Sequence, residues 1–143
     1  MFRPFVIERT FPVPVSRVWK ALTDPGEMKQ WYFDIPRFRA EVGFAFQFSA
    51  GSAEKQYLHL CQVTAVIPDR QLAYSWRYQD YQGLSVVTFE LFPRDGHTRL
   101  RLTHSGLESF GGLPDFTPES FAQGWQYIIG TSLAGFLDPK TAG

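Results

Sequence analysis

Hydrophobic and polar positions alternate with a period of two over most of the chain's first three quarters, and change to a three-to-four residue repeat only near its end. In "FVIERTF" Phe5, Ile7, Arg9 and Phe11 alternate with Val6, Glu8 and Thr10, which predicts a strand. Pro12 and Pro14 end it, because neither can donate to a ladder. "VSRVWKALT" then places Val15, Val18, Trp19 and Leu22 on one side of a short helix. Asp24-Pro25 breaks that helix, and Asp24 can cap a second one, "PGEMKQW", whose Met28 and Trp31 face the same way as Trp19.

Six strand-like segments follow. "FRAEV" and "FAFQFSA" flank Val42-Gly43, with Phe44, Phe46 and Phe48 on one face. After the turn-like "AGSAEK", "QYLHLCQVTAVIP" reads as a long strand that stops at a Pro68-Asp69 turn. "QLAYSWRY" collects Leu72, Tyr74, Trp76 and Tyr78 on one side, and "LSVVTFELF" turns Val87, Phe89 and Leu91 inward. The Asp95-Gly96 hairpin signal leads into "TRLRLTH", with Leu100, Leu102 and His104 inward. One apolar and one polar face is the pattern of an antiparallel sheet. The long connection from Ser105 to Phe116 has the length of a lid or binding loop.

The final segment predicts a helix capped by Thr117, opened by Pro118 and stopped by Pro139 and Gly143. Phe121, Trp125, Ile128, Ile129, Ser132, Leu133, Phe136 and Leu137 form its apolar face. About 20 residues at 1.5 Å each span roughly 30 Å, enough to cross a sheet. Strands followed by one long helix give an α+β, two-layer fold in a single domain over residues 1–143. Gly124, Gly130 and Gly135 each cost roughly 1 kcal/mol in a helix relative to Ala, which fits a close approach or room left for a guest.

Composition sharpens this picture. Fourteen basic residues balance fourteen acidic ones, so the basic excess that attracts nucleic acid or anionic lipid is absent. Cys61 is the only cysteine, which excludes an internal disulfide. With no long apolar run and no signal-like start, the expectation is a cytoplasmic protein without a membrane partner. The 14 Phe, 6 Tyr and 4 Trp are unusually many, and they predict either a Phe-rich core or the walls of a cavity.

Five motifs resemble one family: Pro14, Val18, Trp19, Ala21, Leu22, Asp24 and Pro25 with Trp31 six residues on; the "G-F-x-F" stretch from Gly43; "L-x-Y-x-W" from Leu72 to Trp76; Thr98 to Gly106 around His104; and Gly124-Trp125. Together they resemble the activator of heat-shock protein 90 ATPase homologue-like family, within the START-related, birch-pollen-allergen-like superfamily. The resemblance covers about residues 5 to 138. It implies the helix-grip fold: a seven-stranded curved antiparallel sheet around a long C-terminal helix, with two short helices after strand 1. One departure is Val42-Gly43, where the family's usual pattern is a double glycine.

The family's shared residues transfer no catalytic set. No His pair has metal-ligand spacing, no "G-x-S-x-G" occurs, and no phosphate-cradling loop is present, so neither metal nor cofactor is expected. Arg9 shares the apolar phase of its strand and could meet a ligand carboxylate or snorkel. The reading is a domain that holds a small hydrophobic, aromatic or lipid-like ligand between sheet and helix. Its expected lining is Phe44, Phe46, Tyr74, Trp76, Phe89, Leu102, His104, Phe121, Trp125 and Ile129. Two alternatives accompany it. One is a protein-interaction module with a chaperone partner. The other is a cyclase- or hydrolase-like enzyme using His104, His59 or Arg9. Exposed edge strands allow a monomer or a homodimer.

Overall fold

A computed structural model describes residues 3–51, 54–111 and 113–138. Strand β1 (Phe5–Phe11) leads to helices α1 (Val15–Thr23) and α2 (Pro25–Trp31). Strands β2 (Ala45–Gly51), β3 (Gln56–Ile67), β4 (Gln71–Tyr78), β5 (Ser85–Arg94) and β6 (His97–Ser105) follow as an antiparallel meander, and β1 closes on β6. The order β1-β6-β5-β4-β3-β2 leaves β1 and β2 at the edges of one curved sheet. Turn chemistry sets the register at the β5–β6 hairpin. Asp95 (φ 51°) and Gly96 (φ 79°) both take the left-handed conformation that a two-residue type I′ turn demands.

Among the described residues the sheet has six strands where seven were expected. "FRAEV" does not join it, because its backbone bonds are made locally. Glu41 N–H donates to the Arg39 carbonyl (2.9 Å) and Phe44 N–H to the Glu41 carbonyl (3.0 Å). The exposed Arg39 and Glu41 stay in water while Phe38 tucks under the sheet against Phe46 (5.1 Å between rings). Pairing with β3 resumes only where Gly43 N–H reaches the Val63 carbonyl (2.8 Å). Gly43 alone carries the bend, at φ 94°.

Two caps form as the sequence dictates. The Asp24 carboxylate accepts from Glu27 N–H at the start of α2, and the Thr117 hydroxyl accepts from Ser120 N–H at the start of the last helix. That helix is α-helical over Pro118–Tyr127 (α3), π-helical over Ile128–Leu133 and α-helical again over Ala134–Leu137 (α4). The widened stretch has a geometric reason. Phe121, Trp125, Ile129, Leu133 and Leu137 are all buried at a strict spacing of four. In a 3.6-residue turn such a series drifts about 40° per step. A wider i→i+5 turn winds it back towards the sheet. Ser132 anchors the stretch by donating to the Trp31 carbonyl at the end of α2 (2.6 Å). Asp138 is extended, and the expected stops Pro139 and Gly143 lie outside the described residues.

The core lies between the sheet's inner face and this helix. Ile7, Leu102, Phe89 and Leu72 form one continuous row across four strands, each buried. Helix α1 adds Val18, Ala21 and Leu22, and α2 adds Met28 and Trp31, whose indole donates to the Ala21 carbonyl (2.9 Å). Among the described residues no helix is long and apolar enough to cross a membrane.

Candidate functional site

The space between the layers is closed at its centre and open at one end. Tyr32, just past α2, closes the centre. Its ring lies 6.1 Å from Trp125 on the helix and 6.5 Å from Phe89 on the sheet, and its hydroxyl meets that of Tyr74 (2.6 Å). Burial pushes both phenols well above their usual range, so they stay protonated.

Beyond Tyr32 a pocket of about 320 Å³ remains. The sheet contributes Tyr57 and His59 from β3, Trp76 and Tyr78 from β4, and Ala50 and Gly51 from the end of β2. The helix contributes Ser120, Phe121, Gly124, Trp125 and Ile128; Phe33 and the Asp115-Phe116 turn complete the wall. Gly51, Asp115, Ser120 and Gly124 are exposed, so the mouth opens to solvent. A Cβ at Gly124 would find no heavy atom within 4 Å, so this glycine leaves free room at the helix surface.

Phe116 is the keystone of the loop expected to act as a lid. It stacks on Tyr78 at 4.2 Å and meets Tyr57 at 5.0 Å. The Tyr57 hydroxyl donates to the Asp115 carboxylate, joining β3 to the loop at the mouth. The rest of the loop is pinned by buried Leu107 and Phe110 and by Ser109, whose hydroxyl donates to the Gly106 carbonyl (2.7 Å) and accepts from Leu84 N–H (2.8 Å).

Two buried histidines flank this end. His59 Nδ1 lies 2.9 Å from the Tyr57 carbonyl, and its ring stacks on Phe48 (4.4 Å) and meets Trp76 and Tyr78 edge-on (4.9 and 4.7 Å). Burial lowers its pKa to about 4, outweighing the Tyr57 and Phe48 carbonyls, so it is neutral at pH 7. His104 sits deeper and is fully committed. The Trp125 indole donates to Nδ1 (3.0 Å), which leaves the proton on Nε2. Nε2–H donates to Ser85 Oγ (2.8 Å), and that hydroxyl donates to the Trp76 carbonyl (2.8 Å). Burial lowers the His104 pKa to about 3. With no free lone pair, this imidazole ties helix to sheet and has no site from which to take a substrate proton.

Of the ten expected lining residues, Trp76, Phe121 and Trp125 line the pocket. His104 stands behind Trp125. Phe46, Tyr74, Phe89, Leu102 and Ile129 are buried core, and Phe44 is half-buried beside Phe38. Arg9 lies away from the pocket: it is exposed, donates to the Glu8 carbonyl (2.8 Å) and rests against Gly130. Sequence reasoning passed over Phe33, Tyr57, Tyr78, Asp115 and Phe116 as lining residues. The aromatic run Trp31-Tyr32-Phe33, directly after a capped helix, was the one signal that pointed towards Phe33. Among the described residues no three His, Cys, Asp or Glu side chains converge as a metal site would require. A wider concavity of about 750 Å³ on the other face of the sheet is lined by Gln47, Gln62, Ser75 and Arg77 together with Pro36, Leu60 and Leu84.

Residues 12–138 match the family described as Activator of Hsp90 ATPase homolog 1-like protein. No curated protein matches the chain. Among solved structures, protein MLL2253 from Mesorhizobium loti is 32% identical, with 94% of this chain and 96% of that one covered and a TM-score of 0.76. Mll3558 from Rhizobium loti is 25% identical over the same shares, with a TM-score of 0.82. CV1439 from Chromobacterium violaceum, at 22% identity, shares the fold with a TM-score of 0.83 over 97% and 99% of the two chains.

Proposed function

The chain belongs to the Activator of Hsp90 ATPase homolog 1-like family, and from that membership and the pocket we propose a helix-grip domain that binds a small hydrophobic, aromatic or lipid-like molecule between its sheet and its last helix. The observation that carries this reading is the open, aromatic-walled space of about 320 Å³ beside a glycine that no side chain crowds. That volume is at the lower end of the range for ligand pockets, about 300–1,000 Å³, so the guest is compact. Trp76, Phe121 and Trp125 touch the guest. Tyr74, Phe89, Leu102, His104 and Ile129 form the rigid layer that holds those rings in place. Binding rather than catalysis suits a site whose deepest imidazole has both nitrogens engaged.

The test uses a neutral fluorophore, N-phenyl-1-naphthylamine, titrated into the protein while Trp emission is followed. The expected result is saturable one-to-one uptake that Gly124→Phe removes, because the added ring occupies the free room. Uptake that never saturates, or that Gly124→Phe leaves unchanged, overturns the reading. The family's description supports a second reading, a chaperone-docking domain. Its test is a change in Hsp90 ATPase rate on adding the protein, and an unchanged rate removes it.

A further inference from the structure

The pocket's charge is as informative as its shape. Among the described residues, Asp115 is the only Asp, Glu, Lys or Arg in the lining. The sole histidine there, His59, is buried against Phe48, Trp76 and Tyr78, and that burial disfavours its charged form. Every other wall is aromatic, aliphatic or small, apart from the Ser120 hydroxyl at the rim. Aromatic faces carry a negative quadrupole and attract cations. Tyr57 already shows this at the mouth, where the Lys55 ammonium lies over its ring at 5.2 Å and over Tyr81 at 5.7 Å. Lys55 itself is not part of the lining. One Asp115 oxygen accepts from the Tyr57 hydroxyl, which fixes the carboxylate at the rim and leaves its second oxygen for a donor.

We propose that this pocket selects amines: a compact aromatic or alkyl ammonium whose hydrocarbon part lies among Phe33, Trp76, Phe121 and Trp125, with its N–H groups on Asp115. This deepens the ligand-binding reading above and rests on it. An anionic amphiphile of the same size, such as a fatty acid or an aryl carboxylate, meets electron-rich walls and the Asp115 carboxylate, while the Lys55 ammonium at the mouth is already engaged by the faces of Tyr57 and Tyr81. An exposed ion pair and one cation–π contact together account for roughly tenfold in affinity over a neutral isostere.

Three naphthalenes of nearly equal size separate charge from shape: 2-naphthylmethylamine, 2-naphthylmethanol and 2-naphthoate. Each is titrated by calorimetry at pH 7.5 and low salt into the full chain and into Asp115→Asn, which keeps an acceptor for Tyr57. The amine is expected to bind about tenfold more tightly than the alcohol, and the carboxylate most weakly. In Asp115→Asn the amine's advantage falls to about threefold or less while the alcohol's affinity holds. If the alcohol binds saturably but the carboxylate matches the amine, or Asp115→Asn leaves the preference intact, the selectivity is refuted and the pocket reading stands. If none of the three binds, both fall together.

Discussion

The two buried histidines make stability depend on pH in a direction and by an amount that can be worked out. In an unfolded chain each imidazole takes up a proton near pH 6.5. In the folded protein burial delays that uptake to about pH 4 for His59 and about pH 3 for His104. Between those values the unfolded state binds more protons, so stability falls as pH falls. The loss starts near pH 6.5 and is complete only below the folded values; above about pH 7.5 neither group contributes to the slope. From pH 7.5 to pH 5.0 each histidine accounts for about 1.5 proton-uptake decades, or about 2 kcal/mol at 1.36 kcal/mol per decade. Together they remove about 4 kcal/mol, a large part of the 5–15 kcal/mol typical of a domain. Ordinary carboxylates titrate mostly below this window, which keeps the readout clean. The assay is urea unfolding followed by Trp fluorescence at pH 7.5, 6.0 and 5.0, on the natural protein and on His59→Phe. Phe suits the aromatic box around His59 but cannot titrate. Its pH-dependent loss should be about half that of the natural protein, whatever its stability at pH 7.5. A stability that stays flat or rises on acidification refutes the reasoning, as does an unchanged slope in His59→Phe.

Other substitutions probe separate parts of the scaffold. Ser85→Ala breaks the link between His104 Nε2–H and the Trp76 carbonyl inside the core, and should cost about 1–3 kcal/mol in urea midpoint analysis. Gly124→Ala adds a methyl that meets nothing and removes a helix-interior glycine; a gain of about 1 kcal/mol is expected, with weaker fluorophore uptake. Gly83→Ala is the opposite case, since its Cβ would fall 2.4 Å from the Phe110 ring at φ 111°. A loss of about 2 kcal/mol or more, read as a lowered Tm, is expected. Thr117→Ala removes the cap of the last helix and should cost about 1 kcal/mol.

Much of the architecture was legible because the signals behind it are local. The bounds of α1 and α2 follow from a single amphipathic face, the Asp24 cap and the Pro25 start, all within a few residues of each other. The inward faces of β4, β5 and β6 follow from strict alternation, and the β5–β6 turn from Asp95-Gly96. "FRAEV" alternates as well as any of these, yet its amides find partners within their own turn, and no period in a sequence reports where a hydrogen bond ends.

The candidate site was less legible for the same reason. Trp76 and Phe89 share the inward phase of the sheet, but one faces the pocket and the other the closed core, because Tyr32 fills the layer above Phe89 and stops short of Trp76. Thus periodicity, caps and turn residues were enough to determine that an aromatic-faced sheet lies under a long helix, since each is set by neighbours along the chain. Tertiary structure alone decided where the layers separate, which rings line the pocket, and which groups hold the two nitrogens of His104. Those outcomes depend on Tyr32 meeting Tyr74 and on Trp125 and Ser85 each meeting His104, contacts between residues far apart in sequence that only the packed chain brings together.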